Sequence, residues 1–272
     1  MTKKKRTWIF TLLALLIAAL HISPFYIMIN MSLKTLSDRS SRWMPALQPH
    51  FENYVTAMEH GNLMSAMWNT FQITALSVII IVVAGAMAAY PLARKASRKN
   101  QIILTFIVGV MMVPQLSILV PLYKEMVTLK GINKLWGIVI VSATFHLPMA
   151  IYMYSNFIRS IPKELDEAAM IDGCSRMQAF FKVILPCLKS TTVSVIILNG
   201  VGIWNDYQFQ LYFLQKPAMR TITLAISTFF TDSKQDLGAA AAAAFIVVLP
   251  PVLIYIFLQK YFVKGAMDSA VK

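Results

Sequence analysis

Acidic side chains are scarce in this sequence. Only 12 Asp and Glu occur among 272 residues, and charged residues of both signs make up 14%, whereas soluble domains are about a quarter charged. That shortage excludes an ordinary water-soluble domain. No Gly-x-x-x-x-Gly-Lys-Ser/Thr run is present, so the usual cradle for nucleotide phosphates is missing. Cysteine is limited to Cys174 and Cys187. Neither has a His or Cys at metal-ligand spacing, so no metal is expected and both read as ordinary thiols in a reducing setting. No cluster of His, Asp, Glu and Cys of the kind a catalytic centre needs appears anywhere.

Apolar length is plentiful. Hydrophobic residues reach 57% and mean hydropathy is +0.62. Uncharged runs long enough to cross about 30 Å of hydrocarbon predict helices near 8–33, 70–93, 101–123, 135–157, 189–206 and 238–261. Transmembrane strands would alternate over about ten positions, but a run such as Ile73 to Met87 is apolar on every side. The expected class is an all-α membrane protein with six transmembrane helices. Spans two, three and four contain no Asp or Glu, which argues against an ion-coupled secondary transporter.

The net charge of +13 reads as a topology signal rather than a nucleic-acid patch. Lys3, Lys4, Lys5 and Arg6 precede span one, and Arg94, Lys95, Arg98 and Lys99 follow span two. Arg159, Lys163, Arg176, Lys182 and Lys189 lie between spans four and five, and Lys260, Lys264 and Lys272 come last. Six alternating spans place all four groups on one side, and the positive-inside rule makes that side the cytoplasm, with both termini. The basic start followed by a run to Met31 reads as an uncleaved anchor, because a signal peptide has a shorter apolar region and a small-residue cleavage site. Residues from about Lys34 to Met67 are expected as an external loop with short helices. The six alanines Ala239 to Ala244 predict a close contact face with another helix, of a partner chain.

Between spans four and five lies a charged island. Ser160 is expected to cap a helix with Pro162 in its first turn. Glu164, Asp166 and Glu167 suit the positive end of that helix's dipole, and Leu165, Ala168, Ala169 and Asp172 are spaced to share a face. Gly173 fits a helix-ending left-handed position. Ser175 with Gln178 matches a capping box opening a second helix, which is expected to run through Phe180 and Phe181 until Pro186 breaks it. The prediction is helix, glycine turn, helix: a short rigid bracket in water beside the membrane.

The order Glu167-Ala168-Ala169, then Gly173, then Leu185-Pro186, resembles the EAA loop of ABC importer permeases. Val183 stands where that family usually has isoleucine. Asn69-Thr70, Ala89-Tyr90-Pro91-Leu92-Ala93-Arg94, Met112-Val113-Pro114-Gln115, Trp204-Asn205-Asp206 and Gln259-Lys260-Tyr261-Phe262-Val263-Lys264-Gly265 are similar to the carbohydrate-uptake branch, in particular the second permease of maltose- and multiple-sugar-type systems. Pro91 replaces a more usual alanine. The resemblance implies the type I ABC importer permease fold with a cytoplasmic helix-turn-helix coupling loop. It implies a multi-pass location in a prokaryotic plasma membrane. It also implies a heterodimer with a second permease subunit, two ATP-binding subunits that hold ATP and Mg, an extracellular solute-binding protein, and a sugar or oligosaccharide as cargo. The chain itself would be a translocation subunit, not an enzyme, without a cofactor of its own. Glu167, Ala168, Ala169, Asp172, Gly173 and Pro186 would couple it to the ATPase, and the segment from Gln259 would touch the ATPases as well. The domains expected are 1–67 (first helix and external loop), 68–265 (permease domain) and 266–272 (cytoplasmic tail). A glycerol phosphate or a polyol is the alternative cargo, but a phosphate ester would want arginines deep in a span, and none is there.

Trp204, Asn205 and Tyr207, after the flexible Gly200 and Gly202, offer the aromatic faces and amides that suit sugar rings. Interface anchoring is the plainer reading of the Trp and Tyr. His146 and His21 are ionisable at membrane depth, which points to function by default, although a neutral histidine bonded to a neighbouring helix accounts for them equally. His146 is the better candidate for a pathway. Asp206 is expected at the wet end of span five.

Overall fold

A computed structural model describes residues 3–95, 97–231 and 236–270, with side chains described over 7–95, 97–230 and 236–259. The basic residues before span one and the motif from Lys260 onward, expected to touch the ATPases, therefore lie outside the described side chains. Among the described residues there is no strand. In chain order the helices are α1 Lys3–Ser32, α2 Glu52–His60, α3 Leu63–Arg94, α4 Arg98–Val110, α5 Leu119–Thr128, α6 Leu135–Ser160, α7 Glu164–Ile171, α8 Arg176–Ala179, α9 Leu185–Cys187, α10 Lys189–Trp204, α11 Gln208–Phe213, α12 Ile222–Thr231 and α13 Leu237–Ala270.

Four stretches are long and apolar enough to cross a membrane: Thr7–Ser32, Leu63–Arg94, Leu135–Ser160 and Leu237–Gln259. Two bent pairs raise the number to six if each counts as one span. Arg98–Val110 with Gln115–Thr128 bends by 91°, and Arg176–Cys187 with Lys189–Trp204 by 74°. The continuous helix expected over 101–123 is thus broken. Pro114 stands at the break: it is itself extended (ψ 122°) and has no N–H to continue the helical ladder. Pro91 and Pro148, by contrast, are carried inside α3 and α6.

The chain forms two compact units. One comprises residues 1–65 and 224–250. Asn53 there donates to the carbonyls of Ser32 (2.9 Å) and Lys34 (2.8 Å), and Asn30 holds the following loop through Arg42 and Met44. Gly238 is required at this point, because a Cβ would lie 2.6 Å from the Asn53 amide. Ala239, Ala240, Ala242 and Ala243 are all buried within the chain. That corrects the expectation of a face for a partner: the run packs at home, where small side chains permit close approach. The apolar surface of α1 stays exposed instead.

The second unit comprises residues 66–223 and 251–272. Its core joins Ile73, Ile81 and Ala89 of α3 to Ile138, Ala150, Tyr154 and Ile158 of α6 and Val195 and Ile203 of α10. Helices α3 and α6 approach closely at Gly85, where a Cβ would stand 3.1 Å from that of Ala150. Tyr154 donates to Thr192 at 3.0 Å, linking α6 to α10. These three helices position the segment that connects α6 to α10.

Candidate functional site

Helix α6 stops at Ser160 because Ile161 precedes a proline and takes extended geometry (ψ 129°). Ser160 does not cap the next helix. Its hydroxyl donates back to Phe157, Pro162 stays in the connection, and α7 starts one residue after Lys163. Glu164, Asp166 and Glu167 fill the first turn as expected. At the other end Gly173 has φ +83°. Its N–H donates to Met170 (3.1 Å) and that of Cys174 to Ala169 (2.9 Å), which is the paired Schellman closure of a helix. Ser175 and Gln178 form the expected capping box, Gln178 N–H to Ser175 Oγ at 3.3 Å and Ser175 N–H to Gln178 Oε1 at 2.8 Å.

The second arm differs from expectation. It runs as α8, then a π-helical turn Phe180–Ile184, then α9, so Pro186 lies inside the arm rather than ending it. A proline removes its own N–H bond and crowds the carbonyl four residues back. The wider turn accommodates this: the Leu185 N–H reaches Phe180 O, five residues away. The chain turns by 74° only after Cys187. Cys187 Sγ donates to Val183 O, and neither cysteine is in a disulfide.

Ala169, Ala179, Phe180 and Ile184 are buried where the two arms meet, and the Tyr90 ring lies 5.0 Å from that of Phe180. The expected common face of Leu165, Ala168, Ala169 and Asp172 therefore divides. Ala169 points inward beside the other arm. Glu167, Ala168, Asp172 and Gly173 are exposed, together with Leu165, Met170, Met177 and Phe181. Ile171 is the extreme, at 85% exposure. These exposed apolar side chains are rimmed by the exposed carboxylates of Glu164, Glu167 and Asp172. In the sequence Ile171 shows only as a large apolar residue directly before the Asp172-Gly173 helix end.

The bracket is fastened to α3 by a group of three. Tyr90 Oη donates to Asp166 Oδ1 at 2.6 Å, and Arg94 pairs with Asp166 Oδ2 at 2.7 Å. Arg94 also donates to the carbonyl of Ile161 at 2.7 Å. Asp166 is 7% exposed, so its charge is stabilised chiefly by these partners rather than by water. Tyr90, Pro91, Arg94, Lys95, Lys163, Asp166, Glu167, Met170 and Arg176 line a cleft of about 370 Å³ between the end of α3 and the bracket. Nothing in local spacing announces this junction, because its two halves are 76 residues apart.

A model of the binding-protein-dependent transport system inner membrane component matches residues 81–267, which include the whole bracket and its anchor. The chain belongs to that family. It is 39% identical over 272 residues to the melibiose/raffinose/stachyose import permease protein MelC of Bacillus subtilis (strain 168), covering 100% of this chain and 98% of that one. It is 32% identical to the probable starch degradation products transport system permease protein AmyC of Thermoanaerobacterium thermosulfurigenes, over 97% of both chains. In fold it is similar to a chain of a bacterial ABC transporter involved in the import of the acidic polysaccharide alginate, with TM-score 0.80, 19% identity and coverage of 96% and 99%.

Within this inner-membrane permease the other residues singled out are spread along α6 and α10. Trp204 ends α10 and is 5% exposed, with its Nε1 unpartnered. It lines an apolar cavity of about 160 Å³ with Phe71, Thr74, Val78, Gly200 and Tyr255. Asn205 is exposed and donates to Val201 (3.0 Å), and Tyr207 is exposed just beyond. His146 Nδ1 bonds Ser142 O at 2.9 Å. His21 bonds Ile17 O at 2.8 Å. Each histidine thus uses its own helix, not a neighbouring one, as a short i to i−4 bond allows. The His146 Nε2 fills the space beside Gly202, 2.9 Å from where a Cβ would be. Asp206, two residues beyond α10, is half-buried rather than wet. Burial pushes its carboxyl above the usual range, against the opposing effect of a bond from Phe209 N–H.

Proposed function

We propose that this chain is the translocation subunit of an ATP-driven importer for a sugar or oligosaccharide, and that the bracket Glu164–Cys187 couples it to the motor. The observation that carries the proposal is the form of the bracket. An exposed surface of Ala168, Ile171, Asp172 and Glu167 is backed by a buried joint and anchored to α3 through Asp166. A loop that merely connects two spans has no need of such an anchor. A lever does, because a push on its outer face must reach the spans.

In this reading six spans alternate, with both termini and the bracket in the cytoplasm, as the basic segments favour. Residues 1–67 supply the first helix and outer loop, 68–265 the permease domain, and 266–272 the tail. A second permease subunit completes the pathway as a heterodimer. Two ATP-binding subunits hold ATP and Mg, and this chain transmits work rather than catalysing a reaction. An extracellular solute-binding protein delivers the cargo; the presence of a periplasmic protein in the crystal structure of an alginate ABC transporter complex supports that arrangement. Glu167, Ala168, Asp172 and Gly173 meet the ATPase, while Ala169 and Pro186 keep the two arms in register. The curated relatives named for melibiose, for starch degradation products and for trehalose support a sugar over glycerol phosphate or a polyol. Trp204, Asn205, Tyr207 and His146 are the proposed pathway groups.

Mechanistically, closure of the ATPases draws the bracket with it, and the anchor at Tyr90 and Arg94 turns that displacement into a tilt of α3 against α6 and α10. The pathway then alternates between two states, biased by nucleotide and cargo. Gly173→Pro tests this. A proline cannot adopt φ +83°, so the variant should insert and assemble but hydrolyse ATP without uptake. Uptake at the wild-type rate would exclude the bracket as the lever.

A further inference from the structure

Beside the anchor, on the other side of Arg94, lies a second pocket with different chemistry. Leu92, Arg94, Lys95, Asn100, Arg159 and Lys163 are among the residues around its volume of about 270 Å³. It contains no carboxylate. Arg94 is committed to Asp166, but among the described residues none of Lys95, Arg159 and Lys163 forms an ion pair, and all three are exposed. The pocket also adjoins the start of α4. Arg98 and Lys99 occupy the first turn there, with no acidic residue, at the end of the helix where the dipole is already positive. Lys95 and Lys163 also line the neighbouring cleft that holds Asp166 and Glu167 but pair with neither, so the positive charge of this pocket favours an added anion.

A third pocket, also about 270 Å³, continues from this one. Gln101 and Arg159 line both, and Leu104, Thr105 and Val108 complete it. Leu104 is buried and Val108 exposed, along α4 as it runs on from its basic first turn. A cationic mouth at the ends of two membrane helices thus opens into an apolar furrow, and the two share an arginine. A free anion would use only the mouth, and an apolar chain only the furrow.

We propose that the mouth and furrow together form a binding site for one anionic glycerophospholipid. Its phosphate rests among Lys95, Arg159 and Lys163, and an acyl chain lies along Leu104, Thr105 and Val108 between α4 and α6. Basic pockets between helices at the membrane surface take anionic headgroups in this way. The bound lipid holds the ends of α4 and α6 together next to the Ile161–Pro162 turn from which the bracket departs. The site requires only that α3 and α6 end at a membrane surface, so it stands independently of the cargo and the motor.

The test uses the assembled transporter, purified in mild detergent and offered equal amounts of phosphatidylglycerol and phosphatidylcholine, with bound lipid counted by native mass spectrometry. Phosphatidylglycerol should be retained in preference. At about fivefold per cation, Arg159→Gln with Lys163→Gln should lower its retention about twenty-fivefold. Val108→Trp, which fills the furrow and leaves the charges, should lower phosphatidylglycerol retention but not the binding of inorganic phosphate; it also decides the matter if the double variant does not fold. Equal retention of the two lipids would overturn the proposal. So would displacement of phosphatidylglycerol by millimolar inorganic phosphate, which would make the site one for a soluble anion. A double variant that sheds a protein subunit while keeping its phosphatidylglycerol would reassign the patch to that subunit.

Discussion

Replacing Arg94 by Met isolates the anchor from the rest of the bracket. The methionine keeps the volume and apolar stem of the side chain and removes a guanidinium that pairs with Asp166 at 2.7 Å and donates to Ile161 at 2.7 Å. The side chains of Arg94 and Asp166 are 13% and 10% exposed, so water does little to replace the lost partner. Removing one member of a buried pair costs about 3–5 kcal/mol. Here Tyr90 still donates to the remaining carboxylate at 2.6 Å, which favours the lower end, about 3 kcal/mol. Because the anchor holds α7 rather than the span core, the loss should appear as local opening. At about 1.4 kcal/mol per tenfold change, amide hydrogen exchange over 162–175 should quicken by about a hundredfold, with the interior of α6 little changed. In reconstituted vesicles, ATP hydrolysis should persist while uptake per ATP falls, since the outer face proposed to meet the motor is intact and its connection to α3 is loosened. Asp166→Asn in the same background should add little, because the two side chains act as one unit. Unchanged exchange in 162–175 together with unchanged uptake per ATP would refute the role of the anchor.

Two further outcomes follow from the same geometry. Ile171→Ser should insert and fold normally, as expected for a residue 85% exposed, yet co-purify with about tenfold less of the ATP-binding subunit, a loss of about 1.4 kcal/mol; pull-down in detergent measures it, and full recovery would mean that the apolar tip is not a docking surface. Gly85→Leu should destabilise the α3–α6 crossing by about 1–3 kcal/mol through overpacking, because even a Cβ would stand 3.1 Å from Ala150; thermal unfolding of the solubilised protein should show it, and an unchanged transition would mean that the two helices can move apart there at no cost.

Much of the bracket was legible in the chain because its parts are local. A left-handed closure needs glycine, a capping box needs Ser and Gln at fixed spacing, and the first turn of a helix favours acids, so Gly173, Ser175 with Gln178, and Glu164 to Glu167 could be placed without tertiary information. Pro114 and Pro186 were visible too, but not their consequences. One proline stands at a 91° bend between two helices. The other is absorbed by a π turn, and the choice between break and accommodation depends on what packs alongside.

Sequence by itself determined the solvent: runs of apolar residues long enough for a bilayer, interrupted by basic segments, can satisfy their backbone groups in lipid only as helices. It also determined that a helix, a glycine turn and a second helix would lie between two of them. Only the tertiary structure decided which way each face turned. Helical period puts Ala168 and Ala169 on adjoining positions but does not say that the first is bare and the second is covered. The alanine run was legible as a contact face, yet its burial within its own chain depends on where the chain returns. The union of Tyr90, Arg94 and Asp166 has the same origin, since a bond between residues 76 positions apart is set by how α3 and α6 pack, not by any spacing along the chain.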